Sequence, residues 1–365
     1  SRAALRQIVD IALTNKVDAL LIAGDLFDND ASDIATRVAL AAELARLGRA
    51  GVPTVVIAGN HDALLDPARH GPIHERVTLL TREAPTLEIG AASLHGIGFP
   101  DRHCPESLLP GYPPPRAGHI NIGLMHTSLG GAACHDRYAP CAEADLFAHG
   151  YDYWALGLIH KRAEIRDGRK LAVMPGIPQG RHVNEAGRGS VTLVQIDANG
   201  AQATEIPVAA LAFETAQADL SQAATQADAE DAISAALSAC ARVDHQVAVR
   251  LSLSGAGTIF TDIRYARETA EQAAEPIDGV WVEGVRFAAS ADASPPGLIG
   301  DLATLMREEA AKPGFSDSAL KAVQEWRATM PREIAEALPD TEFDTLLAEG
   351  IEAVLAALID HGGSR

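Results

Sequence analysis

The chain has 365 residues, of which 47% are hydrophobic and 22% charged, with a formal net charge of −19. This composition is that of a soluble globular protein long enough for two or three compact units, and no apolar run approaches the roughly 20 residues that a membrane helix needs. Four cysteines at irregular spacing form neither a disulfide framework nor a zinc knuckle, so a reducing, cytoplasmic setting is expected.

The charge is uneven. Residues 1–200 carry 19 Lys and Arg against 22 Asp and Glu, whereas residues 201–365 carry 11 against 27. Five of the ten residues in 161–170 are basic, and Arg181 and Arg188 follow. That run reads either as a phosphate-facing patch or as a solvated hairpin.

In chain order, Leu5, Ile8, Val9, Ala12 and Leu13 already follow helical spacing, so the chain is expected to begin inside a helix, with a segment upstream. An apolar strand at 17–23 ends in Gly24-Asp25, a helix follows at 31–47, and a second strand at 52–58 ends in Gly59-Asn60. Further strands are expected at 87–89, 92–97, 120–125, 153–156, 163–166, 171–174 and 191–196, with Asp167-Gly168 as a hairpin turn and 110–115 as a proline-rich loop. This alternation predicts layered α/β packing. Beyond about residue 205 the composition shifts to Ala, Glu and Asp, with a helix at 224–241 and strands at 247–253 and 280–287. From Pro296 the pattern is helical, and Phe343, Leu346, Leu347, Ile351, Val354, Leu355 and Leu358 form one apolar stripe.

The two strand ends carry the chemistry. Asp25 follows a glycine that permits a tight turn, and Asn60-His61-Asp62 closes the next strand 35 residues later. Open α/β sheets collect their ligands at such ends. Asp, Asn and His at matching positions suit two adjacent metal ions, which can supply a nucleophile, neutralise phosphoryl oxygens and stabilise a leaving oxygen. For Asp25 alone, a helix cap would be the bland alternative, and for a lone histidine a core or surface role.

The GD and GNHD segments resemble those of calcineurin-like metallophosphoesterases, and residues 1 to about 200 are similar to the bacterial SbcD/YhaO type of DNA-repair exonuclease. In that resemblance His126 closes an apolar strand, the segment 153–162 with His160 is the last metal motif, and PGIPQGRHVNE at 175–185 follows it. The implied fold is a layered α/β, calcineurin-like β-sandwich flanked by helices at 1–204, then a small α/β capping domain at 205–292 and a helical C-terminal region at 293–365. The resemblance implies two divalent ions, with Mn(II) preferred over Fe or Mg. Asp25 would bridge them, Asn60 and His126 would hold one, and His160 the other. His61 would act on the phosphoryl group or the leaving oxygen. The implied partners are DNA and, through the C-terminal region, an SbcC-like coiled-coil ATPase, with a homodimer as a further assembly and no membrane contact.

Two departures stand out. The family opens on an Asp-x-His strand, which is expected upstream of Ser1, and its last motif is His-x-His where this chain has Leu158-Ile159-His160. Leucine cannot bind a metal, and natural divergence, an altered residue and lost activity all remain open. The resulting expectation is a two-metal DNA exonuclease in DNA repair. A phosphoesterase for nucleotides or other small esters, and a catalytically silent scaffold, are the alternatives.

Overall fold

The computed structural model describes residues 2–27, 34–63, 76–130, 138–255, 259–260 and 262–288, with scattered positions between 302 and 322. The chain divides into two compact units. One comprises Ser1–Ala216, Ile233–Leu251 and Arg267–Gly284, and the other Gln217–Ala232, Ser252–Ala266 and Val285–Arg365.

The first unit is built around two facing sheets. Strands β1 (Leu20–Ala23), β2 (Thr54–Ile57) and β3 (Val77–Leu79) are parallel, in that order. Val55, Val56 and Ile57 are fully buried, as expected of a parallel strand covered on both faces. Helices α1 (Arg2–Thr14) and α2 (Ile34–Arg49) cover one face, where Val9, Ala12, Leu40, Leu44 and Leu47 form a core with Phe27.

On the other side, Val55, Ile57 and Leu80 meet a six-stranded sheet. It comprises β4 (Thr86–Ile89), β5 (Ala92–Gly96), β6 (Ile120–His126), β7 (Tyr153–Gly157), β8 (Ala163–Asp167) and β9 (Lys170–Met174), in the order β4-β5-β6-β7-β9-β8. Leu124, Tyr153, Ala155, Leu171 and Val173 face the three-stranded sheet. Met125, Trp154, Leu156, Ala172 and Met174 point the opposite way, into a second core with Ile97, Phe99, Tyr112 and Phe147. This alternation is the two-residue period of a strand, so each residue's face follows from its parity. Leu146 and Phe147 of the short helix α3 (Glu143–Ala148) close that second core. A hairpin of β10 (Ser190–Asp197) and β11 (Gly200–Pro207) follows.

The remaining elements are β12 (Leu211–Asp219), α4 (Gln226–Ser238), β13 (Gln246–Ser254), α5 (Ile263–Ala274) and β14 (Val280–Phe287), with sheet order β12-β13-β14. Within the second unit, the Leu220 N–H donates to Ser254 O at 2.8 Å and the Ala288 N–H to Leu253 O at 2.7 Å. Among the described residues, no helix is long and apolar enough to cross a membrane. The apolar stripe from Phe343 to Leu358 lies outside the described residues, as does most of the expected helical region 293–365.

The strand expected at 17–23 starts at Leu20, because the Val17 N–H turns back to Ala12 O at 3.1 Å and closes the end of α1. Strands β3, β11 and β12 and helices α3 and α5 have no counterpart in the sequence reading. Helix α5 buries mostly small residues, Ala266, Thr269, Ala270 and Ala274, on an otherwise largely polar segment, so few large apolar side chains mark its buried face.

Candidate metal centre

The register of the sheets puts the polar loops side by side. Ala23 pairs with Ile57, so Gly24-Asp25 and Gly59-Asn60 leave β1 and β2 at one level. His126 is the last residue of β6 and pairs with Gly157, the last of β7, so Leu158 and His160 emerge beside it.

Three of the four expected ligands converge. His126 Nε2 lies 3.0 Å from Asn60 Oδ1 and 3.4 Å from Asp25 Oδ2, while His126 Nδ1 lies 2.8 Å from Ala23 O. A carbonyl can only accept, so Nδ1 carries the proton, and a neutral ring then turns its Nε2 lone pair toward two further acceptors. Such a group is stable when a cation, either a proton or a metal ion, sits among the three atoms. Two oxygens and one imidazole nitrogen form a donor set that suits a first-row divalent ion. These residues therefore fit the metal implied by the resemblance. Among the described residues, no group of three or more His, Cys, Asp or Glu side chains gathers as a metal site; the convergent set depends on the Asn60 carboxamide.

Close backbone approach is what allows this convergence. A Cβ on Gly24 would lie 2.3 Å from His126 Nδ1, and one on Gly59 would lie 2.2 Å from Asp25 Oδ1. Asp25 itself has φ +54°, a left-handed conformation that Asp tolerates better than most residues. Burial alone would raise the Asp25 pKa, but the contact with His126, the neighbouring His61 and the His61 backbone N–H outweigh it and hold the carboxyl below its usual value.

His61 is exposed, and its backbone N–H donates to Asp25 Oδ1 at 3.0 Å. His160 lies apart from the convergent three. Its Nδ1 is 2.7 Å from Glu185 Oε1, and the ring is about half exposed. Asp25, His126, Leu158 and His160 all line one cavity of about 1150 Å³, whose other walls include β1, the start of α1 and β10. Leu158 has φ +98°, in the region that favours glycine, a conformation that costs on the order of 1–3 kcal/mol for another residue.

Two carboxylates of the site had no role in the sequence reading, although their motifs were visible. Asp62 is fully buried. Its Oδ1 accepts from the Gly59 N–H at 2.7 Å, and its Oδ2 from the Leu26 and Phe27 N–H groups at 2.8 and 3.4 Å. It ties the loop after β1 to the loop after β2. Burial pushes its pKa up, the Asp25 charge adds to this, and the N–H donors work against it. Glu185 is held below the usual carboxylate range: burial would raise it, and the Arg181 N–H and His160 outweigh that.

The basic run is largely engaged within the protein. Arg162 donates to Thr192 Oγ1 at 2.5 Å and lies 3.5 Å from Glu205; Arg166 holds Glu164 through two nitrogens; Lys170 donates to Phe147 O at 2.7 Å. These three residues fit the solvated-hairpin reading, with β8 and β9 as its arms. Arg188 likewise pairs with Asp244.

Residues 1–161 match the calcineurin-like phosphoesterase family, and residues 213–290 match the middle domain of metallophosphoesterase YhaO. The chain thus carries a calcineurin-like metallophosphoesterase domain followed by a YhaO-like middle domain. It is 31% identical over 262 residues to the uncharacterized metallophosphoesterase YhaO of Bacillus subtilis strain 168, covering 69% of this chain and 64% of that one. It is 30% identical over 182 residues to the DNA double-strand break repair protein Mre11 of Sulfurisphaera tokodaii, covering 47% and 46%. A second Mre11, from Methanopyrus kandleri, is 26% identical over 183 residues, covering 45% and 40%. The alignments thus span less than two thirds of each relative. The family matched by residues 1–161 is one of phosphoesterases that bind divalent metal ions.

Proposed function

We propose that this chain hydrolyses phosphodiester bonds in DNA with two divalent ions, as a nuclease of DNA repair. The observation that carries this reading is the approach of His126 Nε2 to Asn60 Oδ1 and Asp25 Oδ2, at 3.0 and 3.4 Å. Asp25 would be shared between the ions, Asn60 and His126 would hold one, and His160 would hold the other. Bound metal supplies charge neutralisation on the phosphate and activation of water. His61, exposed beside Asp25, orients the phosphoryl group or donates a proton to the leaving oxygen. Mn(II) is the proposed ion, with Fe or Mg as substitutes. Two relatives bear the name of DNA double-strand break repair proteins, which supports DNA over a small ester. Residues 205–292 form a capping domain that shapes DNA access, and residues 293–365 dock on a coiled-coil ATPase, a role their acidity suits better than DNA contact.

The test combines metal analysis with cleavage of DNA and of a generic aryl phosphodiester. Close to two ions per chain, with Mn(II)-dependent DNA cleavage, is the expected result. Cleavage of the aryl ester alone would transfer the assignment to small esters, and a chain without metal or cleavage would overturn the enzymatic reading.

Leu158 favours a second reading, a silent scaffold, because an apolar side chain stands where the family places an imidazole. Leu158→His is expected to raise Mn(II)-dependent cleavage by at least tenfold and to tighten metal binding, as seen by titration. An unchanged rate would mean that Leu158 is not the limiting defect.

A further inference from the structure

The segment PGIPQGRHVNE at 175–185 has no part in the mechanism above, yet it is anchored with unusual care. Gln179 Nε2 donates to Leu211 O at 2.7 Å, and its Oε1 accepts from the Ala210 N–H at 3.1 Å. Val183 is buried with Phe213 and Ala248, fixing the short 3-10 turn Val183–Glu185. Gly176 has φ +78°, and a Cβ there would come within 2.8 Å of His160 O, so the segment lies directly against the His160 loop.

These anchors deliver one carboxylate. The Glu185 side chain is only 5% exposed, although His160, Arg181 and His182 around it are each about half exposed. Glu185 Oε2 accepts from the Arg181 N–H at 2.7 Å. Its Oε1 lies 2.7 Å from His160 Nδ1, 3.7 Å from His182 Nε2 and 3.9 Å from the Arg181 guanidinium.

We propose that Glu185 is the positioning residue of His160: it holds the ring as the Nδ1–H tautomer, so that Nε2 presents a lone pair to a divalent ion in the cavity shared with Asp25 and His126. The inference rests on the metal-binding reading of that cavity. The physical reason is tautomeric. A neutral imidazole has one proton, and an ionised carboxylate can only accept, so an acceptor at Nδ1 places the proton there and leaves Nε2 bare. Free imidazole side chains favour the opposite tautomer, which would put a proton where the metal must bind. The same carboxylate fixes the ring's orientation, the role that outer carboxylates commonly play toward metal-ligating histidines. Neutral Gln can reproduce the acceptor but not the charge, which separates positioning from general structural support.

Long-range 15N–1H NMR on the metal-free chain, with the His160 signals assigned by their loss in His160→Gln, tests the tautomer without reference to activity. The wild-type and Glu185→Gln proteins should show Nδ1 protonated in the neutral ring, and Glu185→Ala should revert to Nε2–H. Nε2–H in the wild type, or retention of Nδ1–H in Glu185→Ala, would overturn the assignment, and the wild-type measurement holds even if the alanine variant fails to fold. Mn(II) titration forms the second arm. About a 10- to 100-fold loss of affinity in Glu185→Ala, partly rescued in Glu185→Gln, supports the proposal. Equal affinity in all three proteins overturns it. A wild-type chain with the expected tautomer but no Mn(II) binding would instead overturn the metal reading of the cavity.

Discussion

Asp62→Ala should destabilise the protein by about 3–5 kcal/mol and lower its Tm by roughly 10 °C, as measured by urea and thermal unfolding. The substitution removes the acceptor of the Gly59, Leu26 and Phe27 N–H groups. An unsatisfied buried donor costs about 1–3 kcal/mol, and relaxation or entering water recovers part of the total. Because those donors belong to the loops that carry Asp25 and Asn60, divalent metal affinity should fall as well. Asp62→Asn should be milder. Its carboxamide keeps one oxygen acceptor, but its NH2 group faces an N–H donor. A loss below about 1 kcal/mol for the alanine variant, small enough for a surface substitution, would show that the loops are held by other contacts.

His61→Ala should separate catalysis from metal binding. The group that touches Asp25 is the His61 backbone N–H, at 3.0 Å from Oδ1, and alanine retains it. Cleavage is expected to fall by about 10²- to 10⁴-fold, the range for removal of a positioned acid or base. Metal stoichiometry should stay at the wild-type value, and the loss should appear in kcat more than in KM. If metal content falls together with the rate, His61 is a ligand or a structural residue, and its assignment to the leaving oxygen is wrong.

Much of the site was legible because its residues belong to local patterns. Asp25 and Asn60 each follow an apolar strand and a glycine, and a parallel register brings those strand ends level. His126 was legible as the terminus of an apolar run. The role of Asp62 was not, because its partners Leu26 and Phe27 lie 36 and 35 residues away and become neighbours only once β1 and β2 pair. Glu185 escaped for the same reason, with His160 25 residues earlier. The basic run shows the converse limit. Composition marks five cations, but only the fold shows that Arg162 and Arg166 face Glu205 and Glu164.

The sequence alone determined the metallophosphoesterase resemblance, the layered α/β class and which polar residues stand at the strand ends, since these depend on residue type, period and spacing along one chain. Tertiary structure decided what those donors can do together. It aimed the His126 lone pair at two oxygens, tied the loops through the buried Asp62, and placed Glu185 behind His160. Those relations arise from strand register and side-chain packing, which bring residues dozens of positions apart within hydrogen-bond distance, so no local pattern records them.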